Sequence, residues 1–509
     1  MTQQEALAIL NSAQLVLLTG AAGSGKTYTL SSYIRHARAS GKNVAVTATT
    51  GLAATHLHGT TIHSWSGIGI HEHLQQSHIA KLSKQRKETI QKADVLVIDE
   101  ISMLHDYRLD FIDDTCQEVR ESKQPFGGLQ IVLCGDFFQL PPVNRRDARQ
   151  GSFITQSDAW QNYDFVVCYL HEQHRQKDDE HYTALLNGIR KGFLSRSQLS
   201  ILQNRQKATL PGNITATRLL TTNIDVDAIN KQYLDALDSQ SETYDMQVAG
   251  AKKYVDQLKQ SCLAQEQLEL KVGAQVMCIK NSQDKRYVNG SLGVVESFDA
   301  ESRYPVVLLN NGKRVTMQPD TWELIDGEKR RASITQLPLR LAWAITVHKS
   351  QGMTLDAAHI DLSKAFVEGM GYVALSRVKQ LDTLVLDGLN RTALLVSADA
   401  KEIDTDLQSR SEQARESYKT AIEKWIITES TRQKKNVPVK KKQSWTDKLA
   451  AMRAQYPNAY MPWSDTDDKK LVAQFSKGKT IKELSTLLGR HEGSIKVRLE
   501  KHLGEDIFK

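Results

Sequence analysis

The chain has 509 residues, 40% of them hydrophobic and 25% charged, with a formal net charge of +7. That size is enough for about three or four packed domains, and the mild basic excess suits a polyanionic partner. No apolar stretch reaches membrane-spanning length and no charged-then-apolar leader opens the chain. The five cysteines (Cys116, Cys134, Cys168, Cys262 and Cys278) never form a C-x-x-C pair, so a large enzyme in a reducing, cytoplasmic setting is expected, with no membrane segment and no structural zinc site.

The apolar run at 15–18 reads as a buried strand, and it is followed by GAAGSGKT from Gly20 to Thr27. This is a P-loop. Its glycines let backbone N–H groups turn inward around phosphate oxygens, Lys26 brings a positive charge to the terminal phosphates, and Thr27 offers a hydroxyl to Mg²⁺. Gly20, Ala21, Ala22, Gly23, Ser24, Gly25, Lys26, Thr27 and Tyr28 are therefore the expected nucleotide-binding run. The helical composition of 27–39 sets a helix N-terminus at the phosphates.

Short apolar runs at 44–47, 94–99 and 129–134 alternate with helical or polar stretches, the rhythm of a parallel sheet with crossover helices. Ligands in such sheets bind at the carboxyl ends of the strands. There stand Asp99 and Glu100, which suit a Mg²⁺ ligand and a base for the attacking water, or else an acidic pair favoured by the dipole of the next helix. GDFFQLPP follows the next strand. Gln139 can bond a γ-phosphate or its water, while Phe138 and Pro142 suit either base stacking or packing between domains.

Buried strands are predicted again at 165–170, 217–222, 357–360 and 383–386, and short β runs at 275–279, 293–298, 305–309 and 313–317, with Asn-Gly turns at 289–290 and 311–312. Residues 404–427 have a helical charge pattern and 431–445 form a basic run without acids. Ser464 caps a predicted helix to 474. A capping box at Thr480 and Glu483 opens a second, Gly489 stops it, and a third runs over 491–503 with Ile495 and Leu499 facing inward. Arg490, Lys496, Arg498 and Lys501 lie on or beside that last helix. These helices resemble a helix-turn-helix module for duplex DNA, with a protein-interaction domain as the alternative.

TGLAATHLHGTTIHSWSGIG (50–69), VIDEISML, QPFGGLQIVLCGDFFQLPPV, VGAQVM with VNGSLG, and HKSQGMTL with YVALSR together resemble the PIF-type DNA helicases, a RecD-like branch of superfamily 1 that translocates 5′ to 3′. The likeness runs in order from about residue 4 to about residue 386. It implies an α/β fold with two RecA-like domains on parallel sheets, at 1–160 and at 161–272 plus 335–395. It also implies a short wedge insertion at about 58–92 and an SH3-like barrel at 273–334, leaving 396–445 as a helical and basic linker before the module at 446–509. ATP and Mg²⁺ are the implied cofactors, and single-stranded DNA and its junctions with duplex the implied partners of a monomer.

The same resemblance implies that Arg175 and Arg377 are cleft-facing arginine fingers acting with Lys26, Glu100 and Gln139, although either arginine by itself would read as a surface ion-pair member. It implies that Gln4 reads the adenine edge and that Gln351 and Gly352 lie near the nucleotide. Thr49, Thr61, His63, Ser64, His348, Lys349 and Ser350 become DNA contacts. The expected activity is ATP-dependent unwinding in replication, repair or recombination. The competing expectation is a DNA-bound P-loop switch that does not unwind.

Overall fold

The computed structural model describes residues 1–57, 59–68, 76–144, 149–206, 208–212, 214–222, 224–282, 284, 286–326, 329–436, 452–504 and 507. Of the insertion expected at 58–92, residues 58 and 69–75 lie outside the described residues, as do 437–445 of the basic run. The chain forms two compact units, Met1–Ile426 and Ile427–Lys509.

The first unit begins with a parallel sheet. Its strands are β1 (Leu15–Gly20), β2 (Val44–Ala48), β3 (Thr60–Thr61), β4 (Val95–Asp99), β5 (Gln130–Gly135) and β6 (Val166–Leu170), in the order β3-β2-β4-β5-β1-β6. Strands buried on both faces read as continuous apolar runs. Here alternate residues feed two cores: Leu17, Leu96, Ile98 and Leu133 pack on one face, and Val16, Leu18, Val97 and Val132 on the other.

Strand β6 corrects an expectation. It was grouped with the second domain, yet Val16 pairs with Val166 and Leu18 with Cys168 in the first sheet. Parallel strands of this kind carry no local mark of which sheet they join. The stretch expected as an insertion at 58–92 also starts inside this sheet, because β3 pairs with β2 before the helices Ile62–Ser66, Gln76–Ala80 and Lys84–Lys92.

A second parallel sheet contains Ala344–Thr346, Thr217–Leu220, Ala358–Leu362 and Leu384–Leu389 in that order. Between its strands in sequence lies an antiparallel region. Arg314–Thr316, Pro305–Leu309, Leu292–Phe298, Gln275–Cys278 and Leu339–Leu341 form its main sheet. The four predicted runs are all present, but the region is larger than 273–334. Ser241–Asp245 pairs with Gln267–Lys271, and Gln247–Gly250 pairs with Lys329–Gln336. Gly290 closes its Asn-Gly turn at φ +91°, and a Cβ there would stand 2.3 Å from the Thr354 carbonyl oxygen.

The stretch from residue 396 is not a free linker up to the unit boundary. Helix Ala398–Ser417 lies on β6: Ser411 Oγ accepts from the Tyr169 N–H at 3.0 Å, and Arg410 donates to the Phe165 carbonyl at 2.6 Å. Arg415 then pairs with Glu5 at 2.8 Å.

In the second unit, Asp465–Phe475, Ile481–Leu488 and Glu492–Leu503 are helices. Ser464 caps the first, the Thr480–Glu483 capping box opens the second, and Gly489 ends it at φ 58°. Leu471, Leu484, Leu488, Ile495 and Leu499 form their core. No described helix is long and apolar enough to cross a membrane, and the five cysteines are buried and free.

Candidate nucleotide and strand sites

The P-loop connects β1 to helix Lys26–Ala39. Gly23 and Gly25 both sit at φ +87°, where a side chain is disfavoured, and a Cβ on Gly25 would meet the Gln3 amide at 2.0 Å. Lys26 Nζ donates to the carbonyls of Gly20 at 2.9 Å and Ala21 at 3.1 Å. Ser24 Oγ is buried and has no hydrogen-bond partner among the described residues. An orphaned hydroxyl, a lysine and left-handed glycines at a helix N-terminus fit a polyphosphate. Thr27 and Tyr28 are exposed at that helix start.

Gln4 is a correction. Gln3, not Gln4, faces the loop: it bonds His174 Nε2 at 3.0 Å, while Gln4 Oε1 accepts from Trp425 Nε1 at 3.3 Å. Successive helix residues point about 100° apart, and only the packing of helix Lys419–Asn436 decides which of the two glutamines is occupied elsewhere.

Asp99 and Glu100 end β4 as expected. Glu100 has φ 54° and ψ 44°, a left-handed conformation that costs a non-glycine residue about 1–3 kcal/mol. Two bonds hold it there. The Asp99 carboxylate accepts from the Glu100 N–H at 2.8 Å, and Thr49 Oγ1 donates to the Glu100 carbonyl at 2.9 Å. Thr49, expected as a DNA contact, is thus a buried clamp on the acidic residue. Burial and then Asp99 push the Glu100 carboxyl up to about 7, opposed by the hydrogen bond from Gln351. Burial likewise raises Asp99.

Gln351 lies at 2.9 Å from the Glu100 carboxylate and Gly352 follows it at φ +78°. Gln139 is buried and its side chain reaches Asp136 at 3.4 Å.

Of the two expected fingers, Arg377 is an interior side chain and Arg175 is partly buried. Arg377 is 1% exposed and bonds the Val373 carbonyl, the Met353 carbonyl and Ser376 Oγ. Arg175 donates to the Ser376 carbonyl at 2.7 Å. Burial first and Arg377 second bring Arg175 down to about 9, and burial lowers Arg377 as well. Two desolvated guanidiniums this close are poised for an anion.

A buried network beneath them was not legible in the sequence. Arg190 Nη1 donates to Asp136 at 2.7 Å and to Tyr372 Oη at 3.1 Å, and Nη2 donates to Tyr169 Oη at 2.9 Å and to Asp404 at 3.1 Å. Tyr372 Oη accepts from the P-loop N–H of Ala22 at 2.9 Å. Burial would raise Asp136, but the Arg190 guanidinium holds it below the usual carboxylate range. The nearest hint was the tyrosine in YVALSR.

The expected strand contacts divide. His348 and Lys349 line a cavity of about 530 Å³ with Glu100 and Gln351. His348 and Pro142 line another of about 610 Å³, where the exposed Phe366, absent from the sequence reading, stacks on His348 with ring centroids 6.2 Å apart. Ser350 is a correction: it is fully buried and donates to the Val347 carbonyl. So is Phe138, which is 4% exposed and covered by the Arg190 guanidinium at 4.1 Å, leaving no face for a base. Thr61 caps helix Ile62–Ser66 by accepting from the Ser64 N–H. Burial, with Arg108 and His105 nearby, lowers His63 to about 4 and keeps it neutral.

In the second unit, two of the four basic residues are tied to protein partners, and one of them, Arg490, is buried. Arg490 is 3% exposed and holds the carbonyls of Asn458, Met461 and Pro462, while Arg498 pairs with Asp468 at 2.5 Å. Both guanidiniums lie over Trp463.

Residues 3–212 match the family model of PIF1-like helicase, and residues 253–298 that of the DNA helicase Pif1 2B domain. The ATP-dependent DNA helicase Pif1 of Psychrobacter sp. (strain PRwf-1) is 40% identical over 84% of this chain and 74% of its own length. The ATP-dependent DNA helicase PIF1 of Xenopus laevis is 37% identical over 72% of this chain, which spans 58% of that longer protein. Among solved structures, the Pif1 helicase from Bacteroides in complex with ADP-AlF3 and ssDNA is similar at a TM-score of 0.57 and 32% identity, covering 81% of this chain and 98% of that one.

Proposed function

The chain belongs to the PIF1-like helicase family, and from that premise we propose that it is an ATP-dependent DNA helicase moving 5′ to 3′ on single-stranded DNA and unwinding duplex or structured DNA. Replication, repair or recombination is its setting. The observation that carries the reading is the convergence of Glu100, from the first sheet, with Gln351, Arg175 and Arg377 around one buried locus. A switch that merely held nucleotide has no need of residues from two sheets there.

In this reading each sheet is the centre of a RecA-like domain, the antiparallel region is the SH3-like insertion, and the helices after β3 act as the wedge at a junction. The P-loop N–H groups and Lys26 hold the β- and γ-phosphates of ATP. Thr27 and Asp99 would hold Mg²⁺, which when bound neutralises phosphate charge. Glu100 takes the proton from the attacking water, and Gln139 senses the γ-phosphate. Arg175 and Arg377 neutralise charge on the transferring phosphoryl group, each because burial leaves its cation poorly solvated until that charge develops. Gln3, bonded to His174 beside the P-loop, is the amide that reads the adenine edge.

His348, Lys349 and Pro142 contact the strand, with the protein acting as a monomer. The second unit is a helix-turn-helix-like module contacting duplex DNA. The test is displacement from matched duplexes bearing a 5′ or a 3′ single-stranded tail. Unwinding from the 5′-tailed substrate is expected. Unwinding from the 3′-tailed substrate alone would overturn the polarity, and ATP hydrolysis without displacement from either would leave the switch.

A further inference from the structure

Strand Leu339–Leu341 alternates as an edge strand should: Leu339 and Leu341 enter the antiparallel core, and Arg340 faces the other way. There it lines the cavity shared by Thr50, Glu100, His348, Lys349 and Gln351. Arg340 is 5% exposed, its Nε is buried without a partner, and among the described residues its guanidinium makes no hydrogen bond or ion pair. Asp227, which also lines the cavity, is exposed and acts on it only from a distance. A desolvated guanidinium with unused donors calls for an anion. The bound nucleotide is a poor candidate, since none of the P-loop residues lines this cavity.

We infer that Arg340 seats a phosphate of the tracked single strand, on the side of Glu100 away from the P-loop. This rests on the helicase reading above and adds to it a residue and a route. Lys349 and His348 share the seat, and Gln351, on the same wall, bonds the Glu100 carboxylate. A phosphate held by Arg340 therefore lies next to the amide that holds the catalytic carboxylate. Strand occupancy is read at Glu100 through Gln351.

The experiment uses the full chain and a fluorescent oligothymidylate, with anisotropy titrated against salt for wild type, R340Q and R340K, and a thermal melt of each. For R340Q, affinity at low salt should fall roughly tenfold, and the slope of log K against log salt should flatten by about 0.7, the counterion share of one single-strand phosphate. The oligothymidylate concentration that half-saturates ATPase stimulation should rise in parallel, with KM for ATP in its absence unchanged. R340K should keep the wild-type slope and lose a few-fold in affinity through its missing fork. If R340Q melts early, the R340K loss of affinity decides the matter. Wild-type affinity in both variants, or weaker binding by R340Q with an unchanged slope, would overturn the inference, as would a raised KM for ATP. If the wild type itself showed no strand-stimulated hydrolysis, the helicase reading would fail instead.

Discussion

The side-chain amide of Gln351 donates to the Glu100 carboxylate at 2.9 Å, joining the turn after strand Ala344–Thr346 to the end of β4. A residue of the HKSQG motif thus holds the acidic residue of the nucleotide site. Removing the carboxylate while keeping the hydrogen-bonding shape isolates its chemistry. Glu100→Gln should bind nucleotide like the wild type and hydrolyse it slower by roughly 10²–10⁴-fold. Lys26→Ala should lose both. Wild-type turnover by Glu100→Gln with single-stranded DNA present would remove Glu100 from the role of base.

Arg377→Ala should leave single-stranded DNA affinity within a few-fold and lower strand-stimulated turnover by about 10³-fold, in the range of an arginine finger. Arg377 is fully buried, so a chemical-denaturation midpoint should accompany the kinetics. Equal losses in DNA affinity and turnover would make it a structural arginine.

The Asp136–Arg190 pair is buried on both sides, at 1% and 8% side-chain exposure. Asp136→Asn leaves Arg190 without its closest counter-charge and should destabilise the first unit by about 3–5 kcal/mol. A urea unfolding curve measures it. Because the Asp136 carboxyl is depressed in the fold, this stability is present above the ordinary aspartate pKa and is lost as pH falls through the lower folded value. A variant as stable as the wild type at neutral pH would show that the pair contributes nothing net.

A chain ending at Ile426 should retain DNA-stimulated ATPase, since it keeps the whole first unit. A chain ending at Leu394 should unfold more readily, because it loses Asp404, Arg410, Ser411 and Arg415, all bonded to the first sheet or its flanking helix. Thermal melting and ATPase of the two fragments check this. Equal behaviour would mean that helix Ala398–Ser417 is dispensable.

Residues 427–509 should bind duplex DNA weakly, with affinity falling steeply as salt rises. Lys501→Gln should weaken that binding, whereas Arg490→Ala should chiefly lower the melting temperature, since Arg490 ties together the carbonyls of 458, 461 and 462. An anisotropy titration with no binding at low salt would favour a protein partner for this unit.

Much of the nucleotide site was legible because each part is local. GAAGSGKT after an apolar run needs only its neighbours to form a loop, and Asp99-Glu100 needs only β4. The capping box at Thr480 and Glu483 was readable for the same reason: it spans one helical turn. What the sequence alone could not decide is who meets whom across long separations. Strand β6 looked like any buried parallel strand, so its sheet was settled by pairing with β1. Gln3 and Gln4 are chemically identical, and Trp425 chose between them. Phe138, Ser350 and Thr49 carry groups that suit DNA, but packing buried them, and a buried group acts on its protein neighbours. Arg190 and Arg340 have no motif at all. One is matched to carboxylate and phenol partners and the other left unmatched only because distant segments close around them, and that closure is a property of the tertiary fold.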